Sequence, residues 1–124
     1  MVIKYEHAPD IEKAATTIAD KLEMMHDLSR VIFMRSRGSK SVYTLARCHA
    51  LPRIMQKALG VKAHYIIEVI GEKFDRMSDE EKKKTLIHEL LHIPKSMGGG
   101  FRHHDFVSES NVEVLHNIYE SLKE

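Results

Sequence analysis

A helix with both ends fixed by local chemistry constrains this chain more than any other stretch. Ser78-Asp79-Glu80-Glu81 has the form of a capping box, in which the Ser78 hydroxyl accepts from the Glu81 amide while Glu81 reaches back, so a helix starts at Asp79. Pro94 disfavours helical backbone at Ile93 and stops it. Glu80 to Lys84 is charged, whereas Leu86, Ile87, Leu90, Leu91 and Ile93 make the later turns apolar on nearly all sides, so the helix passes from solvent into a core. Inside those later turns lies His88-Glu89-Leu90-Leu91-His92. Residues i and i+4 share a helix face, about 6 Å apart along the axis. The two imidazoles can therefore converge on one zinc ion while Glu89 flanks them as a general base, which is the HExxH spacing of zinc peptidases.

A catalytic zinc usually takes three protein ligands and a water, so one ligand must come from elsewhere. Gly98-Gly99-Gly100 permits a reversal after Pro94 that can return Arg102-His103-His104-Asp105 toward the motif. Both His103 and His104 are in reach. His104 is favoured, because Asp105 can cap the following helix and place His104 at a rigid junction. His103 is then available to orient substrate or stabilise an oxyanion, for which Tyr43 and Arg102 are also chemically suitable. Two rival interpretations stand beside this one: a helix with two satisfied core histidines, and a catalytically silent metal domain. A purely structural site would not require Glu89.

The run HELLHIPKSMGGGFRHHD, with a short strand before it and a helix after it, resembles the minigluzincins, small soluble zinc metallopeptidases of thermophilic prokaryotes and especially archaea. The resemblance covers nearly the whole chain. It implies zinc held by His88, His92 and a His of the 103–104 pair, with Glu89 as general base and acid. Most gluzincins use Glu as the third ligand, so this chain departs from the commoner pattern. The resemblance also implies the catalytic domain of membrane-embedded gluzincins without the transmembrane helices, held latent by a C-terminal segment.

At 124 residues the chain has room for one domain, 1–124. No apolar run reaches the roughly 18 residues of a membrane span, and the N-terminus lacks a signal-peptide core, so a cytoplasmic protein without membrane contact is expected. The single Cys48 cannot form an internal disulfide. Set between Ala46 and Ala50, it reads as packing, with a reactive thiol or a metal-blocking ligand as the functional alternative.

The expected fold is α/β (α+β): a small mixed sheet packed against a backing helix and the active-site helix, a minimal zincin-like domain. Ile11, Ala14, Ala15, Ile18, Leu22 and Met25 recur at helical spacing between Pro9 and Leu28, which predicts the backing helix. Val31 to Met34 and Val42 to Cys48 read as strands around a turn at 36–39, and a short helix follows Pro52 and ends at Gly60. Residues 64–70 form the most β-prone segment. That strand, or a neighbour in its sheet, is expected to hold an extended peptide or unfolded protein substrate along an exposed edge.

The last helix, about Phe106 to Leu122, is apolar along one face and acidic. As a segment 105–124 it can cover the zinc and keep the enzyme latent, with Glu109, Glu113 and His116 near a cation, or dock on a second copy as a homodimer, or complete the core. From Leu28 to Ile67 there are eight Lys or Arg and no Asp or Glu, although the whole chain carries only +1. The main rival function is therefore nucleic-acid association through this segment, although no RNA-binding signature accompanies it. The acidic C-terminal stretch docking on it is a further alternative.

Overall fold

The computed structural model describes residues 2–24, 26–94, 96–100 and 109–122. Its elements run β1 (Lys4–His7), α1 (Pro9–Lys21), a 3-10 turn at Leu28–Arg30, β2 (Val31–Arg37), β3 (Ala46–Ala50), α2 (Arg53–Leu59), β4 (Tyr65–Ile70), α3 (Gly71–Phe74), α4 (Asp79–His92) and α5 (Glu109–Leu122). The four strands form one mixed sheet in the order β1-β2-β4-β3. The β2/β4 pair is parallel, and both outer pairs are antiparallel. This is the small α+β domain expected from the sequence.

Register separates the side chains by face. Val31 and Phe33 of β2 share a face with Tyr65, Ile67 and Val69 of β4, and Ala46, Cys48 and Ala50 of β3 extend it. That face is covered by α1 and α4, and the core closes between them with Ile11, Ala15 and Ile18 from α1 and Leu86, Ile87 and Leu90 from α4. α5 lies against α4 and α1, burying Val112, His116 and Tyr119. Its lower face thus completes the core. Glu113 and Glu120 pair with Lys84 and Lys83 of α4 at 2.6 and 3.5 Å, so these two acids do not dock on the basic 28–67 segment.

α4 starts and ends where the local chemistry requires. The Ser78 side chain accepts from the Glu81 amide at 3.2 Å, and the reciprocal contact of Glu81 completes the capping box. α1 is shorter than its apolar periodicity predicts. It ends at Lys21, where Glu23 takes a left-handed conformation (φ 53°) and the Met24 amide returns to the Ala19 carbonyl. β2 continues through Arg37, so the expected turn begins only at Gly38, and β3 lies four residues later than its expected start. β1 and α3 were not expected. α3 begins on Gly71, where an added Cβ would sit 2.9 Å from the Ser36 carbonyl oxygen. Only glycine fits that approach of backbone to backbone.

Candidate metal and catalytic site

α4 delivers three side chains from the turns where it enters the core. The rings of His88 and His92 lie with centroids 5.0 Å apart and planes inclined by 72°. One nitrogen of each can then approach a common point at the 2.0–2.1 Å of a zinc–imidazole bond. Two imidazoles on one helix face, both partly exposed, fit a zinc ion in donor chemistry and spacing. Among the described residues no third His, Cys, Asp or Glu completes a group with them. The expected third ligand His104, its alternative His103, and Arg102 with Asp105 lie outside the described residues. His116 does not join the pair, and Glu113 is committed to Lys84.

Glu89 sits between the histidines in sequence and is only 6% exposed, near enough to Cys48 of β3 for its charge to act on the thiol. Its Oε2 lies 4.0 Å from His88 Nε2, beyond a hydrogen bond. Burial penalises its charged form and pushes its carboxyl up to about 7. A carboxylate held there is poised to take and return a proton near neutral pH. Opposite it on β3 lies Cys48, whose thiol is pushed up to about 12, first by burial and then by the charge of Glu89. Cys48 therefore remains a neutral thiol and acts as packing, as its sequence context implies.

Two supports of the site escaped the sequence. His26 Nε2 meets the Ile93 carbonyl at 2.6 Å, closing the C-terminal end of α4 where Pro94 breaks the helix. The Tyr65 hydroxyl accepts from the Gly99 amide at 2.9 Å and donates to the Gly100 carbonyl at 2.8 Å. It fixes the glycine turn, in which Gly99 has φ 96°, just before residue 101. Neither partner had a sequence signal, because 67 and 34 residues separate the bonded positions. Tyr43, a candidate oxyanion donor, is 92% exposed on the loop before β3.

The strand beside the site also differs from the first expectation. β4 is internal, hydrogen-bonded on both sides, and has no free edge. The neighbour β3 is terminal, and among the described residues nothing pairs with its outer side. The Leu51 amide bonds the His64 carbonyl and the Ile70 amide bonds the Leu45 carbonyl. Antiparallel alternation then turns positions 45, 47, 49 and 51 toward β4 and leaves the N–H and C=O groups of Ala46, Cys48 and Ala50 facing outward.

Half of the eight bases in the 28–67 segment are held by internal acids. Arg30 pairs with Asp27, Arg35 with Asp10 and Asp75, Arg37 with Glu6 and Asp75, and Arg47 with Glu68. Half of the charge excess read from the sequence is thus a set of intramolecular ties.

A histidine pair and a buried carboxylate on one core helix, beside a sheet with a free edge, have the form of a metal-dependent hydrolase. The family model described as "Putative phage metallopeptidase" matches residues 3–121, and the chain belongs to that family. No curated protein and no solved structure matches the chain. The family is a metallopeptidase family, as the sequence led one to expect. Among the described residues no helix is long and apolar enough to cross a membrane.

Proposed function

We propose that this metallopeptidase is a zinc endopeptidase of the gluzincin type, with His88, His92 and His104 as metal ligands and Glu89 as the general base. The observation that carries the proposal is the arrangement on α4: two imidazoles 5.0 Å apart, next to a carboxyl group buried against β3 and raised to about 7. Bound to these ligands, zinc would supply Lewis acidity toward a peptide carbonyl and toward water. Glu89 accepts the proton of the attacking water and passes it to the leaving amine. The outward amides and carbonyls of β3 hold an extended peptide through main-chain bonds, which suits unfolded segments of varied sequence.

α5 as a latency segment is a secondary proposal. Its burial of Val112, His116 and Tyr119 favours the core-completing role instead.

The test combines metal analysis with hydrolysis of an unfolded protein substrate. About one zinc per chain is expected, lost in His88→Ala and His92→Ala, with His104→Ala weakening it far more than His103→Ala. Glu89→Gln should keep zinc and fold while losing hydrolysis by roughly three or more orders of magnitude. Retained cleavage by Glu89→Gln would sink the proposed mechanism.

A further inference from the structure

The face of the sheet turned away from the helices carries a second constellation outside the metal site. Glu68 lies on it, 3% exposed, beneath two side chains from β3: His49 Nε2 is 2.8 Å from its Oε1, and Arg47 Nη1 donates to its Oε2 at 3.3 Å. Burial alone would raise the Glu68 carboxyl, but Ser36, His49 and Arg47 together hold it below its usual range. Glu68 is thus a fixed anion that orients Arg47 and His49. Both side chains remain open to solvent, at 39% and 49%. Only one guanidinium N–H of Arg47 is engaged, on Glu68, among the described residues.

Their position on the strand gives them a use. A peptide that bonds the outward groups of Ala46, Cys48 and Ala50 becomes a fifth strand, and its side chains alternate between the two faces of the enlarged sheet. Peptide residues opposite 46, 48 and 50 point toward α4 and the metal. Those opposite 47 and 49 point to the other face, beside Arg47 and His49. In an antiparallel addition these latter positions are the pairs without hydrogen bonds, where Cα atoms approach to about 4.5 Å and side chains meet most closely. Beyond them the same face opens into a concavity of about 740 Å³, floored by Ile32 and Ile66. No other acid lines it besides Glu68, which is already neutralised by its partners.

We propose that Arg47 and His49 are specificity-determining residues that select substrates carrying Asp or Glu at alternate positions along the strand bound to β3. This rests on the peptidase reading of the same site and names the substrate class it takes: extended segments with acidic side chains two residues apart. Opposite-charge cross-strand pairs shift affinity by roughly two- to fivefold each, and like charges disfavour pairing by a similar factor. Opposite Arg47, whose charge is permanent, the two effects together separate an acidic from a basic side chain by about tenfold, and His49 adds to this in its protonated form.

Binding is measured with the zinc-loaded full chain carrying Glu89→Gln, so that peptides persist. The probes are fluorescein-labelled octapeptides alternating Thr with Glu, Ser or Lys. The Glu peptide is expected to bind on the order of tenfold tighter than the Lys peptide, with the Ser peptide between them and the gap narrowing as salt is raised. Arg47→Ser and His49→Ser each narrow the gap, the double variant closes it, and Arg47→Glu inverts it. Thermal melting of each variant verifies that the domain is folded. Hydrogen exchange supplies a separate readout, because the amides of Ala46, Cys48 and Ala50 gain protection on binding while those of Arg47 and His49 are already bonded to β4. Equal binding of the three peptides, no binding of any, or a gap that survives the double variant overturns the proposal. The wild-type enzyme separates this from the parent reading. Cleavage without acidic preference removes the specificity alone, whereas acidic preference without cleavage of any substrate removes the peptidase reading and leaves the strand-pairing site.

Discussion

The two faces of β4 are built from neighbouring residues and serve opposite purposes. Tyr65, Ile67 and Val69 are fully buried against the helices, and the helix they support, α4, carries the candidate catalytic groups. Ile66 is 37% exposed on the other face, beside a Glu68 made tolerable only by Arg47, His49 and Ser36. One face is held by apolar packing and does not depend on charge. The other is held by charge and hydrogen bonding and can exchange partners with a ligand. Support for the helix that carries the candidate catalytic groups and the proposed recognition surface thus occupy one six-residue strand.

The largest expected difference lies between adjacent residues. Ile67→Ala should cost about 2–5 kcal/mol of unfolding free energy, because a cavity forms beneath α4, whereas Ile66→Ala should cost under about 1 kcal/mol. Equal shifts in urea denaturation would erase the contrast between the faces. A smaller effect is expected at Tyr65, where the ring packs in the core and the hydroxyl reaches the glycine turn. Tyr65→Phe keeps the ring and removes both bonds to Gly99 and Gly100, for about 1–2 kcal/mol and faster hydrogen exchange at the Gly99 amide. Unchanged exchange there would show that the turn does not depend on the sheet. The smallest effect is the pH dependence of the charged face. The Glu68 carboxyl is lowered in the folded state from its ordinary 4.5. Its stabilising contribution is therefore complete above about 4.5 and is lost as pH falls through the lower folded value. The stability advantage of wild type over Glu68→Gln should shrink in melts taken below pH 4.5; an advantage that grows there would reverse the assignment of charge to this face.

What the sequence disclosed follows from how local each interaction is. Both ends of α4 are encoded within a few residues, at Ser78–Glu81 and at Pro94, so its limits and its histidine pair were legible. β1 was not, because all four of its side chains are exposed and it is a strand only through pairing with β2. Val42 and Tyr43 looked like strand residues by type but are solvent-exposed, and pairing with β4 places β3 at Ala46–Ala50 instead. The choice of edge likewise depended on strand order, which passes from β2 to β4 before returning to β3. Glu89 was legible as a candidate base from its spacing, but the burial that raises its carboxyl depends on tertiary packing around α4.

The free side of β3 also bears on how the protein behaves at high concentration. Unpaired strand backbone next to exposed Val42, Tyr43 and Leu45 is a template on which a second chain can add and start an aggregate. If two copies of β3 joined antiparallel about Cys48, Arg47 of each would stand opposite His49 of the other. Arg47 would then gain no acidic partner from the second chain at either end of the junction, so the residue proposed to favour an acidic visitor would not reward pairing between sister molecules.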